Sequence, residues 1–304
     1  MQTRRLGSQG PEMSVIGYGA WEAGGADWGP NESDEVVIDA MRAALDAGID
    51  WIDTAEVYGD GVSETLVGRA LAGRRDGALI ASKVAPAPEG SGFRPEQVRG
   101  ACNASLRRLA TDRIDLYQLH WPDETGIPLE DTWGAMAELQ QAGKVRFVGV
   151  SNFDHDQIER CLQIRHVDSL QQEFSMLARQ DRELLRWCGE AGVGVASYSP
   201  LGAGLLTGAI APGTVFEDWR ADATEGFLTD VEGSLAVVER LRPVAERLGI
   251  TPAQLALAWN IAQPGVTAAI AGSRDSGHVR GNAAAGDVEL DGSMLQELEE
   301  LLAG

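Results

Sequence analysis

The chain has 304 residues, with 46 acidic and 25 basic side chains and a formal net charge of −21. A nucleic-acid binder presents a basic face, and an anionic membrane surface attracts basic clusters, so this balance argues against both partners. Hydrophobic residues make up 44%, an ordinary globular value, and the length suits a single α/β barrel.

The predicted elements alternate from strand to helix along the chain. Met1–Pro11 is expected to form a short hairpin across the bottom of the fold. Ser14–Trp21 reads as a strand and Ser33–Gly48 as a helix, capped by Ser33 or Asn31, with Val37, Met41, Ala44 and Leu45 at helical spacing. Strand Asp50–Ala55 leads to helix Ser63–Leu71, strand Ala78–Val84 to helix Arg94–Leu109, and strand Ile114–Trp121 to helix Leu129–Ala142. Strand Val145–Asn152 is followed by helix Asp156–Ile164, and strand Ser169–Phe174 by helix Arg182–Ala191. After strand Gly194–Leu201 comes an irregular stretch, Gly202–Gly233, then helix Leu235–Leu248. Thr251 and Pro252 open a further helix, to about Ala262, as cap and first residue. Strand Thr267–Gly272 and helix Asp275–Ala285 complete the series, and Met294–Leu302 reads as an added C-terminal helix.

Eight strand–helix units predict a (β/α)8 TIM barrel, since a doubly wound sheet usually has fewer. No linker-like segment divides residues 1–304, so one domain is expected. Cys102, Cys161 and Cys188 lie far apart, without metal-type pairing, and read as reduced thiols in a cytoplasmic protein. Met1–Gly10 lacks the apolar core of an export signal. The histidines, His120, His155, His166 and His278, show no metal spacing, so no metal is expected.

A barrel gathers its active site at the C-terminal ends of its strands. Those ends carry Asp53 with Tyr58 just beyond, Lys83, His120, Ser151 with Asn152, Gln171, Tyr198, and the run Gly272-Ser273-Arg274. Each has an ordinary alternative. Asp53 suits a turn, Tyr58 a loop, Lys83 a snorkelling strand end, His120 a hydrogen-bonded core and Gln171 a satisfied backbone group. Convergence on one rim makes all of these together improbable. Lys83 is also one of only two lysines, in a chain whose other basic residues are arginine. The set has a chemical logic: an ammonium beside a phenol lowers its pKa, a carboxylate holds that ammonium charged, and an imidazole hydrogen-bonds the reacting oxygen.

The order of motifs resembles the aldo-keto reductases, of the bacterial kind related to potassium-channel β subunits. The matching segments are RRLGSQGPEMSVIGYGAW at Arg4–Trp21, IDTAEVYGDGVSETLVGRAL at Ile52–Leu71, YQLHWPD at Tyr117–Asp123, GKVRFVGVSNF at Gly143–Phe153, QQEFSML at Gln171–Leu177 and YSPLGAGLLTG at Tyr198–Gly208. The resemblance implies NADPH-dependent reduction of an aldehyde or ketone, with Asp53, Tyr58, Lys83 and His120 catalytic and Tyr58 the proton donor. It puts Ala20, Trp21 and Asp53 beside the cofactor, Ser151, Asn152 and Gln171 on the nicotinamide carboxamide, and Tyr198 against the ring. Ser199, Pro200, Leu201, Gly202 and Gly204 fall at the pyrophosphate, Gly272, Ser273 and Arg274 at the 2′-phosphate, and His278 and Asn282 at the adenosine end. His278 replaces the family's frequent Gln or Arg, and Gly281 its frequent Glu. Trp21, Tyr58, His120, Trp121, Asp123 and Trp219 are expected to line the substrate pocket. A regulatory nucleotide-binding protein, like the channel subunits, is the alternative reading.

Overall fold

The computed structural model describes residues 1–85, 92–223 and 226–303. Its first feature is a two-stranded antiparallel hairpin of β1 (Thr3–Arg5) and β2 (Glu12–Ser14). Eight parallel strands then close into a barrel: β3 (Ile16–Gly19), β4 (Trp51–Asp53), β5 (Leu79–Val84), β6 (Ile114–Leu119), β7 (Val145–Ser151), β8 (Ser169–Glu173), β9 (Gly194–Tyr198) and β10 (Ala268–Ala271). The circle closes where β10 pairs with both β3 and β9. Around it run α1 (Asp34–Asp46), α2 (Val62–Ala70), α3 (Pro95–Arg108), α4 (Leu129–Gln141), α5 (His155–Leu162), α6 (Arg182–Glu190), α7 (Val231–Leu248), α8 (Pro252–Ile261), α9 (Ser276–Ala284) and α10 (Gly292–Ala303). No described helix is long and apolar enough to cross a membrane.

Local chemistry accounts for the helix starts. Ser33 caps α1 by accepting from the Val36 N–H, whereas Asn31 turns its amide to the Ala23 carbonyl. Thr251 and Gln254 form a reciprocal capping box, with Pro252 in the first turn of α8. Asp154 and Gln157 do the same for α5, and the free thiols Cys102, Cys161 and Cys188 lie buried on helices.

Most strands end earlier than their hydrophobic pattern predicts. The pairing of β7 stops at Ser151 and that of β9 at Tyr198, because Asn152 and Ser199 adopt positive φ, 61° and 51°, and leave the ladder. These departures turn functional candidates out of the wall and over the barrel mouth. The irregular stretch contains short helical turns at Leu205–Thr207, Trp219–Asp222 and Gly226–Asp230, and α7 begins earlier than expected, where Asp230 caps the Gly233 N–H. Residues 224 and 225 of that stretch lie outside the described residues.

The hairpin extends to Ser14, beyond the expected Pro11, and plugs the N-terminal end of the barrel. Leu6 and Met13 pack with Trp51, Ala81, Leu116, Ala196, Ala268 and Ile270 in an interior cluster. The buried Trp51 indole donates to the Ser14 carbonyl at 2.9 Å. Its ring fills space opposite Gly17, where a Cβ would lie 2.2 Å from the indole. Gly17→Ala should therefore overpack the barrel and cost about 1–3 kcal/mol. Denaturant unfolding checks this, and an unchanged midpoint would mean that the ring yields freely.

Candidate active site

Strand alternation turns Lys83 of β5 inward and its neighbour Ser82 outward. Lys83 is fully buried, and its Nζ donates to Asp53 Oδ1 at 2.5 Å, to the Thr54 carbonyl at 3.0 Å and to the Tyr58 hydroxyl at 3.0 Å. A buried ammonium has three donors to satisfy, and here each has an acceptor. Asp53 accepts a second bond on its other oxygen, from the Gln171 amide at 2.8 Å. His120, just past β6, brings its ring edge-on to Tyr58 at 5.7 Å between centroids and within 4.6 Å of Trp121. Its Nδ1 has no hydrogen-bond partner among the described residues.

Burial and charge set the protonation of this group. Burial pulls the Lys83 ammonium down, but Asp53 and Tyr58 outweigh it and hold it above its usual value, so it stays charged. Burial pushes His120 well below the ordinary imidazole value, and the Lys83 cation adds to this, so the ring is neutral. Burial raises the Tyr58 phenol, and the attraction of Lys83 only partly offsets it. This corrects the expectation of a phenol tuned downward: desolvation of the phenolate outweighs the nearby cation.

A cleft of about 1010 Å³ opens beside these residues. Asp53, Tyr58, His120, Trp21, Trp121 and Trp219 line one end. Ser151, Asn152, Gln171 and Tyr198 form the adjoining wall, where the Tyr198 hydroxyl donates to Asn152 Oδ1 at 2.9 Å and the Asn152 amide donates to the His120 carbonyl at 3.0 Å. Ser199, Pro200, Leu201 and Gly204 continue the lining, with positive φ at Ser199, Gly202, Ala203 and Gly204. Gly272, Ser273, His278 and Asn282 close the far end. An aromatic wall beside amides, then a tight turn of small residues, then a polar helix start is a donor set that fits a nicotinamide dinucleotide lying along the cleft.

Four expected residues stand elsewhere. The Asp123 carboxylate does not line the cleft; it ties its own loop to the segment before α3, accepting from the N–H groups of Phe93, Thr125 and Ile127 and from the Thr125 hydroxyl. Ala20 is fully buried beneath the rim, its N–H donating to the Asp53 carbonyl. Gly202 turns toward Leu177 and bonds back to Ser199. Arg274 donates to the carbonyls of Glu22, Gly29 and Pro30 at 2.7–3.1 Å, so its guanidinium ties down the loop after β3 and does not face the cleft.

Other contributors had no clear sequence signal. Trp28 packs edge-on to Trp21 at 5.4 Å and to Trp219 at 5.6 Å, and Asp27 accepts from the Trp21 indole at 2.7 Å. Arg220 pairs with Asp218 at 2.5 Å and lies over the Trp28 ring at 5.0 Å. These residues knit the loop after β3 to the irregular stretch after β9, which only the closed barrel makes neighbours.

Comparison with known proteins agrees with this geometry. A family model described as the Aldo/keto reductase family matches residues 15–303. Aldo-keto reductase YhdN of Bacillus subtilis (strain 168) is 36% identical over 290 residues, covering 92% of this chain and 87% of that protein. The glycerol dehydrogenase AKR11B4 from Gluconobacter oxydans superposes with a TM-score of 0.88 at 32% identity, covering 99% of this chain and 94% of that one. An aldo-keto reductase from Klebsiella pneumoniae in complex with NADPH gives 0.78 at 33% identity, covering 99% and 96%. A match over nearly the whole chain, on a barrel whose rim joins Asp53, Lys83 and Tyr58 by hydrogen bonds, makes this chain an oxidoreductase of the aldo/keto reductase family.

Proposed function

We propose that the protein reduces an aldehyde or ketone to an alcohol with NADPH, and that Tyr58 donates the proton. The observation that carries the reading is the buried Lys83 ammonium, held between Asp53 and the Tyr58 hydroxyl beside a cleft of about 1010 Å³. The Klebsiella pneumoniae relative in complex with NADPH supports the choice of cofactor. NADPH, when bound, supplies the hydride that reduces the carbonyl carbon.

The chain's own residues handle the proton. His120 is neutral, so it is a poor proton donor but a competent hydrogen-bond donor to a carbonyl oxygen. Tyr58 keeps its proton through the neutral range and releases it only to an oxygen gaining negative charge. As the proton leaves, the Lys83 ammonium meets a forming phenolate, and the attraction strengthens in a water-poor site. Asp53 keeps Lys83 charged and in place throughout. Asn152, Ser151 and Gln171 offer hydrogen-bonding groups for a carboxamide, and the Tyr198 ring offers a face for stacking. The complete four-residue set favours catalysis over a purely nucleotide-sensing role.

Tyr58→Phe should fold normally and bind NADPH, while turnover falls by about 10²–10⁴-fold, the usual worth of a positioned acid. Cofactor titration and single-turnover kinetics check this, and near-wild-type turnover would remove Tyr58 as the acid. Lys83→Met should lose comparable activity and also about 3–5 kcal/mol of stability, because Asp53 is left buried without its cation. The double variant Asp53→Asn, Lys83→Met should recover much of that stability and none of the activity, measurable by urea unfolding beside turnover. Arg274→Ala should weaken NADPH and NADH alike, since the guanidinium is occupied by backbone carbonyls. A selective loss of NADPH affinity of about 1.5–3 kcal/mol would instead assign the extra phosphate to Arg274.

A further inference from the structure

Glu56 lies two residues before Tyr58, in the turn between β4 and α2, and plays no part in the set described above. Its carboxylate reaches across to the neighbouring strand, where Oε1 accepts from the Ala85 N–H at 2.7 Å, just beyond the end of β5. Its own N–H points back to the Lys83 carbonyl at 3.4 Å. Arg108, the last residue of α3, approaches Glu56 Oε2 at 3.6 Å and Glu64 Oε2 at 2.6 Å. Glu64, fully buried on α2, accepts from the Ser82 hydroxyl at 2.5 Å. The contacts therefore grip β5 on both sides of Lys83, at Ser82 and at Ala85. Gly61 makes room for the cation: it adopts φ +88°, and a Cβ there would stand 2.3 Å from Arg108 Cδ.

We propose that Glu56, Arg108 and Glu64 form a positioning bracket that holds the turn bearing Tyr58 against the strand bearing Lys83. The proposal rests on the reading of Tyr58 as the acid. The Lys83–Tyr58 contact joins two elements, and proton donation needs that contact held within hydrogen-bond reach. Nothing in the ion pair itself fixes the turn, because Asp53 precedes it on β4. The bracket adds a side-chain tether from behind, outside the cleft, to the backbone contacts that Thr54 and Glu56 already make with β5.

The bracket is also sensitive to pH. Burial pushes the Glu56 carboxyl up from 4.5 to about 7; the Ala85 N–H and Arg108 oppose that rise, and Glu64 adds to it. The groups facing it are Glu64 from α2, Arg108 and Cys102 from α3, and Tyr117 from β6. A protonated Glu56 gives up its attraction to Arg108 and is a weaker acceptor for Ala85, so the grip loosens on the acid side. Stability runs the other way. A carboxyl whose folded pKa is raised contributes stability fully present below its unfolded value and lost as pH rises through about 7.

The test compares wild type with Glu56→Gln, Glu56→Asp and Tyr58→Phe, using NADPH and 4-nitrobenzaldehyde in single turnovers from about pH 5.5 to about pH 9. The wild-type rate should rise with an inflection near pH 7. Glu56→Gln, whose amide oxygen still accepts from Ala85, should be flat at the wild-type acid-side rate. Its melting temperature should exceed that of wild type by a margin that widens up to about pH 7 and stays constant above it. Glu56→Asp, too short to reach Ala85, should lose turnover with little change in NADPH affinity and keep an inflection. Superimposable rate profiles for wild type and Glu56→Gln, or parallel melting curves across the range, would overturn the bracket even with Tyr58→Phe inactive. Retained turnover in Tyr58→Phe would overturn the acid and the bracket together.

Discussion

A lysine ammonium with no exposure to solvent is the constraint around which this molecule is arranged. Left alone at that depth it would lose its proton or unfold its surroundings. Asp53 is placed to prevent both, and the pairing of β4 with β5 is what places it: Asp53 stands beside Ala81, two residues before Lys83 on the neighbouring strand. A buried ion pair is weak evidence for stability and stronger evidence of use. This pair spends one hydrogen bond of its cation on a phenol at the edge of a cleft, which a purely structural pair has no reason to do.

The division of the barrel into two ends follows. The hairpin end is filled by Trp51, Leu6 and Met13 and holds the wall together by apolar burial and an indole hydrogen bond. The opposite end departs from regular pairing at Asn152 and Ser199, with non-glycine residues at positive φ. Such conformations persist only where the surroundings over-determine them. For Asn152 the surroundings are visible: its amide is fixed between the His120 carbonyl, the Ser151 hydroxyl and the Tyr198 hydroxyl.

The eight strand–helix units were legible because burial imposes its period on the residues themselves: two in the strands, near 3.6 in the helices. Lys83 stood out because an isolated lysine in an apolar run contradicts its surroundings. The strand ends were not legible, since hydrophobicity continues through residues such as Pro200 and Leu201 after pairing has stopped. The partners of Arg274 were not legible for a related reason. A guanidinium beside an expected phosphate site reads as its ligand, yet three backbone carbonyls from a loop about 250 residues away satisfy it equally well, and only tertiary structure brings that loop near. Asp123 was expected in the pocket because it follows Trp121 closely, but the N–H groups of Thr125 and Ile127 in its own loop and of Phe93 before α3 hold its carboxylate. Glu56 and Arg108 left no signal, because their partnership depends on a cation from α3 crossing to the turn before α2.

The hydrogen bonds of the site form two short chains with a common consequence. One runs from Tyr58 through Lys83 and Asp53 to Gln171. The other runs from the His120 carbonyl through Asn152 to Tyr198. The first begins at the Tyr58 hydroxyl, proposed to meet the reacting oxygen, the second at the backbone of the residue whose ring is proposed to do so, and both end on the wall proposed to receive the nicotinamide. Gln171 gives one amide hydrogen to Asp53, which leaves its second amide hydrogen and its carbonyl oxygen to recognise a ligand there. Occupancy of the wall and the charge balance at Lys83 are thus joined through one carboxylate. Side chains that share an acceptor in a low-dielectric site do not contribute independently. Removing Gln171 would relax Asp53 toward Lys83 alone, and the effect on proton donation would exceed what its distance from Tyr58 suggests.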